Sequence, residues 1–559
     1  MSYQVGIDVG GTFTDGVLIR DQYLIKKTKV PTQADNLLET LLNAFEHLDV
    51  YKHPVDQITV STTLVTNAIL ENRLPPVELF LFPGSGMRMD ALPWPVPYHT
   101  LLGEIDYRGR EVVPPDELEW RRLYNQIDFS TIKDVAIVSK FSHRNKVLEE
   151  SLADFLNKKN PELNIALGSE WGHTNFYRRS LTTYLNTASK KLYQTFAAQL
   201  QQAVEKNGSK AELKVLKADG GIVPISLLRP VESINSGPAA SVIGALAQSD
   251  PQHSFIVVDI GGTTTDIGLI LSGEPLLSAH GAKIGPYLTM IPTLATRSIP
   301  MGGDSTILPD SEAPEGFKIA PYRLGPAYCL GGPAPTPTDA MCYLKRVEHG
   351  NYQLAEDGLA SLLPPEKRNP EALYNLAENI LRKFAREINH TFAILHKEWQ
   401  EEPAYKVWEV LHPHSAKDFY FFVSGGSAQG IKPSLEEVAH LPVQITKHAD
   451  VSNAIGAALA RPTLSCTLHL DTYVRSYSIE EFGEQGEWRG SRRPYKEVQE
   501  FLLGFARRKA QGLGLDPEKL EFKTRPFDYF PIVISYETVG QIVRGAIVVP
   551  PGVIGRLEP

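Results

Sequence analysis

Cysteine is scarce in this chain. Its 559 residues include three, Cys329, Cys342 and Cys466, with no CxxC pair. That argues against a disulfide framework and against an all-cysteine zinc site. No run approaches 18 apolar residues, so no membrane-spanning helix is expected. The opening MSYQVGIDVGG has neither the basic nor the apolar segment of a signal peptide, so a reduced, cytoplasmic setting is the expectation. Positive charge is not in excess: 56 Lys and Arg face 65 Asp and Glu, a net charge of −9. A general nucleic-acid or anionic-membrane binder would carry the opposite balance. Low-complexity segments and basic tracts are lacking too. The fifteen histidines include no HExxH or other metal spacing. His143, His173, His412 and His414 each read as surface or hydrogen-bonded side chains rather than ligands.

What remains is ordinary for a soluble globular enzyme, with 42% hydrophobic and 22% charged residues. At roughly 150 residues per domain, the length suggests three to four domains or lobes.

One internal repeat organises the chain. Val5-Gly-Ile-Asp-Val-Gly-Gly-Thr-Phe-Thr-Asp-Gly-Val-Leu-Ile19 aligns without gaps to Ile256-Val-Val-Asp-Ile-Gly-Gly-Thr-Thr-Thr-Asp-Ile-Gly-Leu-Ile270, with eight of fifteen positions identical. A spacing of 251 residues is no solenoid; it implies two similar lobes opening with the same device. Each copy is a β-branched strand, an Asp-x-Gly-Gly-Thr turn and a returning apolar strand, hence a hairpin. Paired glycines permit φ > 0 and remove Cβ atoms, so that backbone N–H groups can crowd round an anion. Asp8 and Asp259, at the strand ends, offer hard oxygen for Mg²⁺, directly or through water. Two such hairpins face to face would grip a polyphosphate from both sides.

The repeated DxGGTxxD hairpin resembles the two phosphate motifs of the actin-like ATPase superfamily. Further segments narrow the resemblance: Ser61-Thr-Thr-Leu-Val-Thr-Asn-Ala-Ile-Leu-Glu71, Ser236-Gly-Pro-Ala-Ala-Ser-Val-Ile-Gly-Ala245, Asp259-Ile-Gly-Gly-Thr-Thr-Thr-Asp266 and Pro335-Thr-Pro-Thr-Asp-Ala340. In this order they are similar to the hydantoinase A / 5-oxoprolinase family, from residue 5 to about 460. The resemblance implies an α/β fold of two ribonuclease-H-like lobes closing on ATP and Mg²⁺. It also implies ATP-dependent opening of a cyclic amide such as a hydantoin or 5-oxoproline, and in relatives ATP-driven carboxylation of ketones. A second subunit of the hydantoinase B type is an expected partner. Family members are commonly longer, and Met301-Gly-Gly-Asp304 and His173-Thr-Asn-Phe-Tyr-Arg-Arg179 depart from their pattern, so substrate identity does not carry over.

The expected layout is an N-terminal lobe over 1–230, a second ATPase lobe over 231–462, and a small α+β region over 463–559. Residues 308–337, rich in Pro and Gly, read as a long surface loop. By the resemblance, Gly10, Gly11, Thr12 and Thr14 face Gly261, Gly262, Thr263 and Thr264 across a nucleotide. Ser236 and Gly237 add a helix N-terminus, and Gly425 and Gly426 supply the adenosine-side turn. Asp15 and Asp266 read either as further ligands or as turn caps. Asp304 reads as a general base, a substrate-binding group or a loop cap. Arg178 and Arg179 read either as a clamp for a substrate carboxylate or as helix-surface charge. The expected chemistry is phosphorylation of the amide carbonyl followed by attack of water. A small-molecule kinase, a carboxylase subunit, and a reactivating or chaperone-like ATPase are the alternatives. An iron–sulfur reactivator is disfavoured by the scattered cysteines, and the tail is short for a peptide-binding domain.

Overall fold

The computed structural model describes residues 2–33, 36–250, 253–401 and 419–558. His412 and His414 lie outside the described residues.

The first lobe is built on strands β1 (Tyr3–Val9), β2 (Phe13–Arg20), β3 (Tyr23–Pro31), β4 (Val55–Thr62) and β5 (Glu212–Leu216). They lie in the order β3-β2-β1-β4-β5. β1 is antiparallel to β2 and parallel to β4, and β5 is parallel to β4. The second lobe repeats the plan with β6 (Phe255–Ile260), β7 (Thr265–Leu271), β8 (Phe421–Ser424) and β9 (Val443–Ile445), in the order β7-β6-β8-β9. Again the first pair is antiparallel and the rest parallel. A short strand, Glu274–Pro275, completes the edge beside β7. Both sheets have the ribonuclease-H-like order expected of actin-like ATPase lobes. Their central strands are β-branched runs buried on both faces, which is why Val5, Ile7, Val257 and Val258 are fully or almost fully enclosed.

Between β4 and β5 the first lobe carries a second sheet of Val77–Phe82, Asp134–Ser139, Asn164–Leu167 and His99–Thr100. Helix α1 (Phe176–Lys206) joins the two sheets. Its first turns bury Phe176, Tyr177, Leu181 and Ala188 against the inserted sheet. Its last turns bury Tyr193, Phe196, Leu200 and Ala203 against β1 and β4.

The lobes meet through a helix pair, α2 (Ser236–Gln248) and α3 (Ser452–Leu459). Both are rich in Gly, Ala and Ser, so their backbones approach closely. A Cβ on Gly244 would collide with the Ser452 carbonyl, one on Gly456 with the Ala240 carbonyl, and one on Gly6 of β1 with the Ala454 carbonyl. α3 is thereby pressed against the first lobe's sheet, although its chain neighbours belong to the second.

After residue 462 the chain forms an antiparallel sheet around β10 (Leu464–Asp471) and β11 (Glu537–Val549), covered by α4 (Tyr495–Gly512). β10 alternates strictly, placing Leu464, Cys466, Leu468 and Leu470 inward against Val498, Leu502, Phe505 and Ala506. This unit leans on the first lobe. Gly172 donates its N–H to the Glu480 carbonyl at 2.6 Å, and Gln485 Nε2 donates to the Ser142 carbonyl at 2.9 Å.

The segment 308–337 is not simply a surface loop. Ile307–Pro309 pairs with Phe317–Ile319, Phe317 is buried in the second lobe's core, and the following turn carries Arg323 inward. Proline and glycine composition signals turns but not where the residues between them point.

Candidate functional site

The two hairpin turns are superimposable in their bonding. Gly10 N–H donates to the Phe13 carbonyl at 3.1 Å, and Gly261 N–H donates to the Thr264 carbonyl at 2.9 Å. None of Gly10, Gly11, Gly261 and Gly262 has a positive φ. The expectation that these glycines allow a left-handed backbone is therefore corrected, and at Gly10 and Gly262 it is the missing Cβ that matters. A Cβ on Gly10 would sit 2.9 Å from the Phe13 carbonyl, and one on Gly262 would sit 2.9 Å from Asp304 Oδ2. Gly11 faces open space.

Asp8 and Asp259, one per lobe, come together at a single amide. Asn453 Nδ2 donates to Asp8 Oδ2 at 3.3 Å and to Asp259 Oδ2 at 3.1 Å. The carboxylates are thus no farther apart than those two bonds laid end to end. Serine hydroxyls fix their other contacts. Ser61 Oγ donates to Asp8 Oδ1 at 2.5 Å; Ser241 Oγ and Ser424 Oγ donate to Asp259 at 2.8 and 3.0 Å. Cross-strand pairing puts Asp15 beside Asp8 and Asp266 beside Asp259, on the same faces. Burial, helped by the Asp15 and Asp259 carboxylates and opposed by the bonds from Ser61 and Asn453, pushes Asp8 up to about 7. Burial likewise pushes Asp266 up to about 7, against a hydrogen bond from Ser298. Asp15 is also raised by burial, opposed by Lys29, which pairs with it at 2.8 Å.

The loop 301–304 is laid on the second turn. Gly303 N–H donates to the Gly261 carbonyl at 2.9 Å and Asp304 N–H to the Gly262 carbonyl at 2.8 Å. Asp304 therefore lies beside Gly262. Burial raises it above the usual carboxylate range, and the Arg323 guanidinium 3.7 Å away opposes that rise. Arg323 also donates to Thr12 Oγ1 at 2.6 Å, so it links the second lobe to the first lobe's turn.

The remaining expected residues divide. Gly425 adopts φ = 90° and lies so close to Ile260 that a Cβ would strike that carbonyl, while Gly426 is open. Thr263 and Thr264 are exposed on the second turn. Thr14 does not face Asp8. As the neighbour of Asp15 on a strand it points to the opposite face, where its hydroxyl bonds Thr32 Oγ1 at 2.9 Å. Ser236 begins α2, but its hydroxyl is spent on the first lobe, donating to the Thr62 carbonyl at 2.8 Å. Gly237 faces Thr63, 3.3 Å from where its Cβ would be.

Neither Arg178 nor Arg179 is a free clamp. Arg179 is fully buried and bonds the Ser139, Lys140 and His173 carbonyls. Arg178 bonds the His280 and Thr289 carbonyls. His143 is buried with Nδ1 3.5 Å from an Arg179 guanidinium nitrogen, so of its two readings the hydrogen-bonded one holds and the surface one does not.

Sequence reasoning missed Asn453, Arg323, Ser61, Ser241 and Ser424. Ser61 opens the Ser61–Glu71 segment and Ser424 precedes Gly425; both sit at strand ends directly across from an Asp, where a search for hydroxyls one strand over would have found them. Asn453 and Arg323 have no local signal, because only the tertiary fold brings them to the cleft.

Two family models match most of the chain: the hydantoinase/oxoprolinase N-terminal region over residues 4–159 and hydantoinase/oxoprolinase over residues 179–465. The chain is 27% identical over 404 residues to caprolactamase subunit alpha of Pseudomonas jessenii, a match covering 64% of this chain and 58% of that protein. It is 23% identical over 509 residues to the acetophenone carboxylase gamma subunit of Aromatoleum aromaticum, covering 81% of this chain and 67% of the relative. The match to 5-oxoprolinase of Saccharomyces cerevisiae, 26% identical over 62% of this chain, spans 32% of that protein. Among solved structures, nucleotide-free acetone carboxylase superposes with a TM-score of 0.74 at 16% identity, over all of this chain and 89% of the other. The ATP-dependent caprolactamase from Pseudomonas jessenii gives 0.70 at 20% identity, over 97% of this chain and 80% of the other. At these identities the superpositions establish the fold, two actin-like ATPase lobes. With its paired hairpins, its ordered motifs and both family models in agreement, the chain belongs to the hydantoinase/oxoprolinase family.

Proposed function

We propose that this chain uses ATP to activate a carbonyl group, and that its substrate is a cyclic amide which it opens. The observation that carries the reading is the meeting of Asp8 and Asp259 on Asn453 between two matching Gly-Gly-Thr turns. The donor set suits Mg²⁺: hard carboxylate oxygens from both lobes, with hydroxyls around them. Among the described residues no three His, Cys, Asp or Glu side chains converge as a self-sufficient metal site. That is compatible with Mg²⁺, which commonly takes one or two carboxylates and completes its shell with phosphate oxygens and water. When bound, the ion would neutralise phosphate charge and hold the polyphosphate in line.

In this reading the turns at 10–12 and 261–263 hold the phosphates, Gly425 and Gly426 admit the nucleoside side, and Asp8 and Asp259 orient the metal. The amide oxygen attacks the terminal phosphorus and ADP departs with the bond electrons. The resulting phosphorylated imidate takes up water at carbon. Expulsion of the ring nitrogen, which gains a proton, leaves an acyl phosphate, and a second water releases phosphate. Asp304, beside the second turn with a raised proton affinity, is the candidate base for water.

The test is ADP release from Mg-ATP, alone and with 5-oxoproline, hydantoin, dihydrouracil, caprolactam and simple lactams. Stimulation by one of them, lost in Asp259→Asn, supports the reading. Turnover that no cyclic amide stimulates counts against the amidohydrolase part. The carboxylase relatives favour a second reading, activation of a ketone for carboxylation, which predicts bicarbonate-dependent ADP release instead. Because the relatives named as subunits work in assemblies, the assay is run with and without a hydantoinase B-type partner.

A further inference from the structure

Five carboxylates, Asp8, Asp15, Asp259, Asp266 and Asp304, line the two turns, and neither Gly-Gly-Thr turn contains a lysine or arginine. A polyphosphate entering there needs cationic charge beyond a single divalent ion. Lys29 is engaged with Asp15 at 2.8 Å. Arg323 stands at the junction of the turns. Its Nη2 donates to Thr12 Oγ1 at 2.6 Å, and its Nη1 lies 3.6 Å from where a Gly262 Cβ would be. Its distance from Asp304, 3.7 Å, is an ion-pair contact without a hydrogen bond. Among the described residues, Thr12 is its one hydrogen-bond partner, so most of its five N–H donors are uncommitted.

The loop that carries it is held rigidly. Thr306, buried two residues after Asp304, donates its N–H to the Tyr322 carbonyl at 3.0 Å and accepts from Leu324 N–H at 3.1 Å. The residues on either side of Arg323 are thus pinned to the loop that carries Asp304.

Resting on the ATP reading above, we infer that Arg323 is a catalytic residue: its guanidinium binds the terminal phosphoryl group of the nucleotide from the second lobe and stabilises it during transfer. The partner of that guanidinium is the neutral Thr12 hydroxyl. A dianionic phosphoryl group is a stronger, bidentate partner for a planar guanidinium and would displace it.

The experiment compares ADP and AMPPNP binding by calorimetry, with Mg²⁺, for the wild type, Arg323→Ala and Arg323→Lys, and adds ATP turnover. The expected result is AMPPNP affinity weakened about tenfold or more in Arg323→Ala, with ADP affinity within about threefold of wild type. kcat should fall on the order of 100- to 1,000-fold, as for loss of one preorganised transition-state donor, and Arg323→Lys should recover only part of it. Retained ADP binding certifies a folded site. Equal weakening of ADP and AMPPNP, or unchanged AMPPNP binding and kcat, would overturn the inference and leave the ATP reading standing. A wild type that binds neither nucleotide would overturn both.

Discussion

At the scale of residues, the cleft concentrates acidic groups whose protons are held tightly. Asp8 and Asp266, at about 7, lie well above the ordinary carboxylate value of 3.8. A carboxyl whose affinity is raised by folding contributes stability that is fully present below its unfolded value and is lost as pH rises through its folded value. The contribution of these two carboxyls to stability should therefore decline between about pH 4 and pH 7. Asp266→Asn should melt higher than wild type at pH 7.5 and differ little at pH 4. Melting scans at the two pH values decide this; an equal difference at both would contradict it.

Asn453 gives a second prediction at this scale. Its Nδ2 holds carboxylates of both lobes and its Oδ1 is buried without a partner among the described residues. Asn453→Ala removes that bridge. It should raise the Mg²⁺ concentration needed for half-maximal turnover by about tenfold, roughly the worth of one charge-assisted hydrogen bond. An unchanged Mg²⁺ dependence would argue against the bridge.

At the scale of elements, the hairpins were legible because they are local. A β-branched run, a Gly-Gly turn and a returning apolar run specify strand, turn and strand from neighbouring residues alone. Thr14 shows where that legibility stopped. Its motif position suggested the cleft, but strand alternation beside Asp15 turns it away. Arg179 shows the other failure. A charged pair at a helix start read as a carboxylate clamp or as surface charge, yet the Arg179 guanidinium is enclosed and caps carbonyls at the end of an inserted-sheet strand. The α2–α3 contact left only a compositional trace, small residues in two distant segments, and nothing in one segment names the other. Its prediction is steric. Gly456→Ala places a methyl against the Ala240 carbonyl, where backbone must shift. The cost should be about 1–3 kcal/mol in denaturant unfolding, and a neutral substitution would show the helices to be less closely set.

At the scale of the whole molecule, the 463–558 unit is fastened to the first lobe through charge as well as backbone. Burial alone would raise Glu480, but His173 of the first lobe and His469 of β10 hold it well below the carboxylate range. Nearby His143 is lowered to about 3, by burial first and then by the Arg179 and Arg144 charges. A histidine depressed on folding contributes stability that is present above about pH 6.5 and lost as pH falls toward 3. His143→Phe should flatten the acid side of the stability profile between pH 6.5 and 4.5; an unchanged slope would contradict this.

The two-lobe plan itself was readable because the repeat is a repeat of physics, the same hairpin opening the same sheet twice. How the lobes are joined was not, because Asn453, Arg323 and the α2–α3 pair act across hundreds of residues of sequence. The two hairpin turns should form one polyphosphate site shared between the lobes. A crystal structure with Mg²⁺ and AMPPNP tests it most directly. Phosphate oxygens should lie within hydrogen-bonding distance of residues 10–12 and of residues 261–263 in the same molecule, with Asp8 and Asp259 at or beside the metal. A nucleotide bound elsewhere, or touching one turn alone, would contradict it.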